Sequence, residues 1–164
     1  MPQLKILYYP DKRLREIALP VTEFNDALRK TIQEMISLLH ADGAVGLAAT
    51  QVGLPLRMFV MDVSREQTEP VCLINPEIIE QSEEILQDEG CMSFPGVYLK
   101  ILRPRKLTVS YQNEYGETQC MTAEDLMAQC IHHETDHLNG IMFIDRLSKL
   151  KRMMAIKKFK KSTA

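Results

Sequence analysis

Within the run Cys130-Ile131-His132-His133-Glu134-Thr135-Asp136-His137, two histidines stand four residues apart with a glutamate directly after the first. On a helix this spacing puts the imidazoles of His133 and His137 on one face, able to grip one metal ion. Glu134 then lies beside the metal's open coordination position, where a base is needed. Upstream, Glu89-Gly90-Cys91-Met92-Ser93 carries a cysteine able to supply a third ligand. Two imidazoles and a thiolate suit zinc, iron or nickel and not magnesium or calcium. Three protein ligands leave room for water, and a bound metal lowers the pKa of its water from about 16 to near 7. Glu134 can take the proton of that water and deliver it to a leaving amine. The chemistry predicted from these residues is metal-assisted hydrolysis.

The remaining candidates weigh less. Cys130, three residues before His133, reads as a small buried pocket thiol. His132 points elsewhere on the helix and is expected to be hydrogen-bonded or exposed. Cys72 and Cys120 fall in strand-like runs and read as core residues. A reducing environment argues against pairing the four cysteines as disulfides.

The elements that must hold these groups are partly visible. Phe24, Leu28, Ile32, Met35 and Leu39 recur at helical spacing, predicting an amphipathic helix from about Asn25 to His40. A tight, small-residue segment follows through Gly46 and Gly53. Strands are expected at Arg57 to Val63, Pro70 to Asn75, Glu77 to Glu84, Lys106 to Gln112 and Glu117 to Met121. Turns at Asn75-Pro76, Phe94-Pro95-Gly96 and Asn113-Glu114-Tyr115-Gly116 favour antiparallel pairing. A Thr122-x-x-Asp125 start and Gly140 frame the metal helix as Ala123 to Asn139. Ser148 can cap a last helix with Leu150, Met153, Met154 and Phe159 on its apolar side.

The fold class expected is α+β in one domain spanning 1–164: antiparallel β-sheets packed around a central metal-binding helix, with an N-terminal and a C-terminal helix. At 164 residues the chain can bury a core without staples, and 45% apolar with 26% charged residues excludes the disordered and membrane classes. No apolar run approaches the roughly 20 residues of a membrane span. Met1 to Pro10 lacks the basic start and apolar stretch of a signal peptide, so the expected location is cytoplasmic. The segment 148–164 carries seven Lys or Arg and no acid, which leaves −9 for the rest of a chain of net charge −2. That basic helix is electrostatically a separate unit.

Three segments in order, Gly46-Leu47-Ala48-Ala49-Thr50-Gln51, Glu89-Gly90-Cys91-Met92-Ser93 and His133-Glu134-Thr135-Asp136-His137, resemble the motifs of the peptide deformylase family. The likeness extends to Ile6-Leu7-Tyr8-Tyr9-Pro10-Asp11 and the first helix, hence over nearly the whole chain. It implies an enzyme that removes the formyl group from the N-terminal formylmethionine of newly made polypeptides and releases formate. It implies one divalent ion, Fe2+, with Zn2+ or Ni2+ as substitutes, held by Cys91, His133 and His137. Glu134 becomes the acid-base, and Gln51 with the backbone N–H of Met92 holds the oxyanion, a role in which such donors contribute about 3 to 4 kcal/mol. The methionine pocket falls to Leu126, Cys130 and Val45. Gly46 and Gly90 would let the substrate backbone pass close by as an added strand, with Gly46 the nearer contact.

The chain departs from the family pattern at four places. Ala44 stands where the first motif opens with Gly, with Gly43 displaced by one, and an alanine at φ > 0 would cost roughly 1 kcal/mol. His132 replaces a Gln, and Gln87 and Gln129 occupy positions that are often apolar, predicting a more polar methionine pocket. Partners implied are nascent formylmethionyl polypeptides and, through the basic helix, the ribosome, with no DNA and no membrane. Two other readings keep the H-E-x-x-H motif: a zinc endopeptidase, against which Cys91 argues, and an RNA- or ribosome-binding module whose metal is structural and closed by Cys130.

Overall fold

The computed structural model describes residues 4–163. Helix α1 (Asp26–Asp42) starts where Asn25 Oδ1 accepts the Leu28 N–H at 2.9 Å. It ends at Gly43, whose φ of 75° allows the chain to turn away. Leu28, Ile32, Met35 and Leu39 form its buried stripe, as the periodicity predicted.

Strands β1 (Gly46–Ala48), β2 (Met58–Met61), β3 (Val71–Gln81), β6 (Lys106–Gln112) and β7 (Thr118–Glu124) make one antiparallel sheet in the order β1-β2-β3-β6-β7. Strands β4 (Glu84–Glu89) and β5 (Leu99–Pro104) make a separate antiparallel pair. Helix α2 (Asp125–Leu138) lies against the sheet through Ala128, Ile131 and Leu138, and α1 covers the other face. The alternation along β2 shows this division: Phe59 and Met61 pack in the α2 cluster, Met58 and Val60 in the α1 cluster. A third cluster, around Phe94, Phe143 and Phe159, ties the β4–β5 connection to helix α3 (Lys149–Thr163), with Phe94 stacked on Phe159 at 4.3 Å.

The α+β class with antiparallel sheets around the metal helix is what the sequence predicted. Several boundaries differ. The expected turn at Asn75-Pro76 is a bulge inside one long β3: Asn75 has φ 51° and the pairing with β6 shifts between Ile74 and Glu77. Proline lacks a ladder donor, and the Asn75 side chain replaces the missing pairing by bonding Val21 N–H, Val21 C=O and Gln112. Thr122 does not cap α2. Thr122 and Ala123 continue β7 opposite Thr108 and Leu107, and the helix starts after Glu124. Cys72 is buried as expected, whereas Cys120 is exposed on β7 and is not a core residue.

Ser148 Oγ does accept the Lys151 N–H, at 3.3 Å, in front of α3. The packed stripe of α3 is Ala155 and Phe159 with Ile156 partly covered, while Leu150, Met153 and Met154 are exposed. The expectation that those three sit on a buried apolar side is therefore corrected. Of the predicted 148–164 segment, Ala164 lies outside the described residues, as do positions 1–3 of the predicted 1–164 domain. Among the described residues no helix is long and apolar enough to cross a membrane.

Gly140, directly after the metal helix, has φ 75°, and a Cβ there would sit 2.5 Å from the carbonyl oxygen of Arg15. Gly43 has the same φ with nothing within 4 Å. Gly140→Ala is expected to destabilise by about 2 to 4 kcal/mol and Gly43→Ala by about 1 kcal/mol. At roughly 2 to 4 °C per kcal/mol, thermal melts should separate the two variants clearly. Equal melting temperatures would show that the Arg15 contact yields freely.

Candidate metal centre and active site

Cys91 Sγ and ring nitrogens of His133 and His137 lie within 4.8 Å of one another, and this group can hold a metal ion. The two histidine Nε2 atoms are 3.1 Å apart, and Cys91 Sγ is 3.4 Å from His137 Nε2. The helix places the histidines one turn apart on one face, as the spacing predicted; Cys91 comes from the turn after β4. The donor chemistry fits a metal. His133 Nδ1 meets Glu89 Oε2 at 2.6 Å, which directs Nε2 toward the cluster.

Glu134 lies beside this group, with Oε2 3.9 Å from His133 Nε2. Its Oε1 is buried and has no protein partner among the described residues. Burial pushes its carboxyl up to about 7, with the Glu89 carboxylate adding to the rise and His133 and Arg103 opposing it. A carboxyl that titrates near neutrality can both take and return a proton.

Gln51 reaches the cluster from the 3-10 turn Ala49–Val52 that follows β1. Its Nε2 lies 3.8 Å from Cys91 Sγ and 3.0 Å from Ser93 Oγ, and its Oε1 accepts the Ala48 N–H at 2.9 Å. A cleft of about 450 Å³ opens over the cluster. Its lining brings together Val45, Gly46, Gln51, Cys91, Met92, Leu126, Cys130, His133 and Glu134, so of the predicted site residues only His137 lies behind it.

Gly46 is pressed against the metal helix. A Cβ there would stand 2.7 Å from both Cys130 Sγ and Glu134 Oε2. At Gly90 the ring of Tyr98 occupies the corresponding space at 2.8 Å. Ala44 is not among the non-glycine residues of positive φ, which are Gln67, Asn75 and Asp125 among the described residues. The expected strain at Ala44 is absent, because Gly43 takes the left-handed turn one residue earlier.

Cys130 is not part of the metal group; its thiol lies 3.6 Å from the Val45 carbonyl. Burial, then the Glu134 and Glu89 carboxylates, hold it well above the ordinary thiol range, so it stays protonated. Gln129 lines the cleft, but its amide donates to Asp88 C=O at 2.8 Å and to Glu89 Oε1 at 3.3 Å. Gln87 donates to Arg103 C=O and is not in the lining. The extra polarity predicted for the pocket is therefore confined to Gln129, and its donors are turned away into the protein.

Sequence reasoning missed the support beneath the cluster. Arg103, fully buried, bonds both oxygens of Glu89 at 3.0 and 2.7 Å and Asp136 at 2.5 Å. Arg146 closes the chain on Asp136. His132 Nδ1 lies 3.0 Å from Arg103, so the residue is hydrogen-bonded as expected. Its basicity falls to about 4, chiefly through burial and then through Arg103. Glu89 stood inside the second motif, two residues before Cys91. Arg103 had no local signal, since nothing in its neighbours marks it as buried.

Comparison with known proteins agrees with this geometry. The polypeptide deformylase family model matches residues 3–153. A peptide deformylase of Hydrogenovibrio crunogenus is 47% identical over 164 residues, covering all of this chain and 97% of the relative. A crystal structure of a peptide deformylase from Legionella pneumophila superposes with TM-score 0.94 at 42% identity, covering 99% and 96% of the two chains. A Synechococcus elongatus peptide deformylase, crystallised with actinonin, gives 0.90 at 41% identity, covering 96% and 88%. A family match over almost the entire length, converging with a Cys-His-His cluster flanked by Glu134 and Gln51, places the chain in the polypeptide deformylase family.

Proposed function

We propose that this chain hydrolyses the N-formyl group of the formylmethionine that begins newly made polypeptides. The convergence of Cys91, His133 and His137 beside a buried, near-neutral Glu134 carries this reading. Water adds to the formyl carbon, the C–N bond breaks, and formate and the free amine leave. Cys91, His133 and His137 would hold a divalent ion, which when bound would supply Lewis acidity for activating water and polarising the formyl carbonyl. Glu134 accepts the proton of the attacking water and returns it to the departing amine. Gln51 Nε2 and the Met92 N–H donate to the formyl oxygen as it gains charge. Val45, Gly46, Leu126 and Cys130 surround the methionine side chain, and Gly46 lets the substrate backbone approach β1. The chain acts in the cytoplasm, where such substrates arise.

Glu134→Ala should keep its metal and lose about 10²- to 10⁴-fold in kcat for formate release from a formyl-Met peptide. Wild-type speed in that variant would remove Glu134 from the acid-base role.

Ferrous iron is the ion we assign, supported by the thiolate and imidazole donors and by the family likeness; the same donors accept zinc and nickel. Cys91→Ala should lose metal on dialysis. Wild-type protein stripped and reloaded without oxygen should turn over faster with Fe2+ than with Zn2+ and lose that advantage in air. Equal, air-stable rates would exclude iron as the working ion.

The basic helix is proposed to contact the ribosome near the emerging chain. Its outward side presents Lys157, Lys158 and Lys161 together with exposed Leu150, Met153 and Met154. Phosphate contacts of this kind weaken steeply with salt. Replacing Lys157 and Lys158 by Glu should abolish co-sedimentation with ribosomes at low salt while hydrolysis of free formyl-Met peptide is unchanged; undiminished co-sedimentation would refute the contact.

A further inference from the structure

Gln51 is 1% exposed, and its carboxamide has one possible orientation. The Ala48 N–H faces its Oε1 at 2.9 Å, and an N–H cannot face an NH2 group, so Nε2 must point the other way. There it meets Ser93 Oγ at 3.0 Å. The Ser93 hydroxyl is completely buried and does not line the cleft. With one N–H of Gln51 given to Ser93, the second is directed to the side where Cys91 Sγ lies, 3.8 Å away.

The main chains on either side of this bond are held by one extended segment. Leu7 N–H donates to Gln51 C=O at 2.7 Å, and two residues later Tyr9 N–H donates to Ser93 C=O at 2.8 Å. Alternate amides of the N-terminal segment thus fix the spacing between the first and second motifs, and the side-chain bond fixes the rotation of the amide between them. The hydroxyl is the only one of these anchors that acts on Nε2 itself.

We propose that Ser93 is a positioning residue for deformylation: its hydroxyl holds the Gln51 amide so that the second Nε2–H, on the side of Cys91 Sγ, faces the formyl oxygen as negative charge develops there. This rests on the reading of Gln51 as an oxyanion donor. A donor contributes most when it is fixed before the reaction at the place where charge appears. Without the Ser93 hydroxyl, the amide is held only through its Oε1 by the Ala48 N–H, so it can pivot about that bond and Nε2 is no longer fixed in place. The substrate ground state loses little, so the effect falls on kcat and not on KM.

Ser93→Thr and Ser93→Val have the same shape and differ only in the hydroxyl, so both crowd the buried site equally. The expected result is a Thr variant within about threefold of wild-type kcat and a Val variant about tenfold or more below it, with KM within about twofold for both. Metal content should be unchanged in each. In a Gln51→Ala background, itself slowed about 10²-fold or more, Ser93→Val should cause no further loss, because two groups that act as a unit are not additive. Equal kcat for Thr and Val, or a full additional loss in the Gln51→Ala background, overturns the inference and leaves Gln51 its role. Wild-type speed in Gln51→Ala removes the oxyanion reading and the inference with it.

Discussion

The guanidinium of Arg103 lies between carboxylates from two different elements, Glu89 at the end of β4 and Asp136 on α2, with no surface exposed to water. Those elements carry the two halves of the metal centre, since Cys91 follows Glu89 and both histidines are on α2. A buried ion pair is a weak source of net stability, because desolvating each charge costs several kcal/mol. Its effect here is geometric. Removing one partner of such a group costs about 3 to 5 kcal/mol, so any sliding of α2 against the hairpin that breaks it is strongly opposed. Arg146, reaching in from the surface, supplies the second positive charge, so that the two carboxylates Glu89 and Asp136 face two guanidinium groups. The Glu89 Oε2 that accepts from Arg103 is also the oxygen that meets His133 Nδ1, so the electrostatic support of the hairpin passes directly into the orientation of a proposed metal ligand.

The second constraint is steric. β1 is only three residues long, yet it positions both Glu134, the proposed base, and Gln51, the proposed amide donor. Gly46 admits the Glu134 carboxylate and Cys130 thiol into space that a side chain would fill, and Ala48, two residues on, orients Gln51 through its N–H. Because side chains alternate along a strand, the Cβ directions of Gly46 and Ala48 both face α2, while the Ala48 N–H, in the plane of the sheet, is left to Gln51. The small residues of the first motif are therefore consequences of how closely strand and helix must approach for the acid-base group and the donor to converge.

How much of this was readable depends on whether a contact is local in sequence. The i, i+4 pair of histidines, the Leu28 to Leu39 stripe and the 106–112 strand are set by neighbours a few residues away, and each was legible. β4 and β5 were not. β4 is mostly exposed, and in β5 the residue type does not follow burial, since Leu102 is exposed and Arg103 buried, so neither strand shows a readable apolar alternation. At Asn75-Pro76 the local turn signal was real but was absorbed as a bulge, since Val21 and Gln112 satisfy Asn75 from across the fold. Thr122 lost its capping role to β7, where pairing with β6 outweighs a single cap. Arg103 is the extreme case, an arginine with unremarkable neighbours, and Ser93, though inside the second motif, likewise acts only through a distant partner: both bond residues 14 or more positions away.

The two thiols near the centre show how the surroundings choose a ligand. Cys130 is on the metal helix itself, one turn from His133, and by spacing alone could have closed a four-ligand shell. It is enclosed beside Glu134 and Glu89, both of which disfavour a thiolate, and its sulfur rests against the Val45 carbonyl. Cys91 is only partly buried, faces the cleft, and has the Gln51 amide and the His137 ring at its sulfur. Carboxylates oppose a thiolate, so the proton stays on Cys130. The donor set therefore stops at three, with a carboxylate base and an amide donor on the cleft side. That arrangement fits a hydrolase, where a structural zinc site would have spent the fourth position on sulfur.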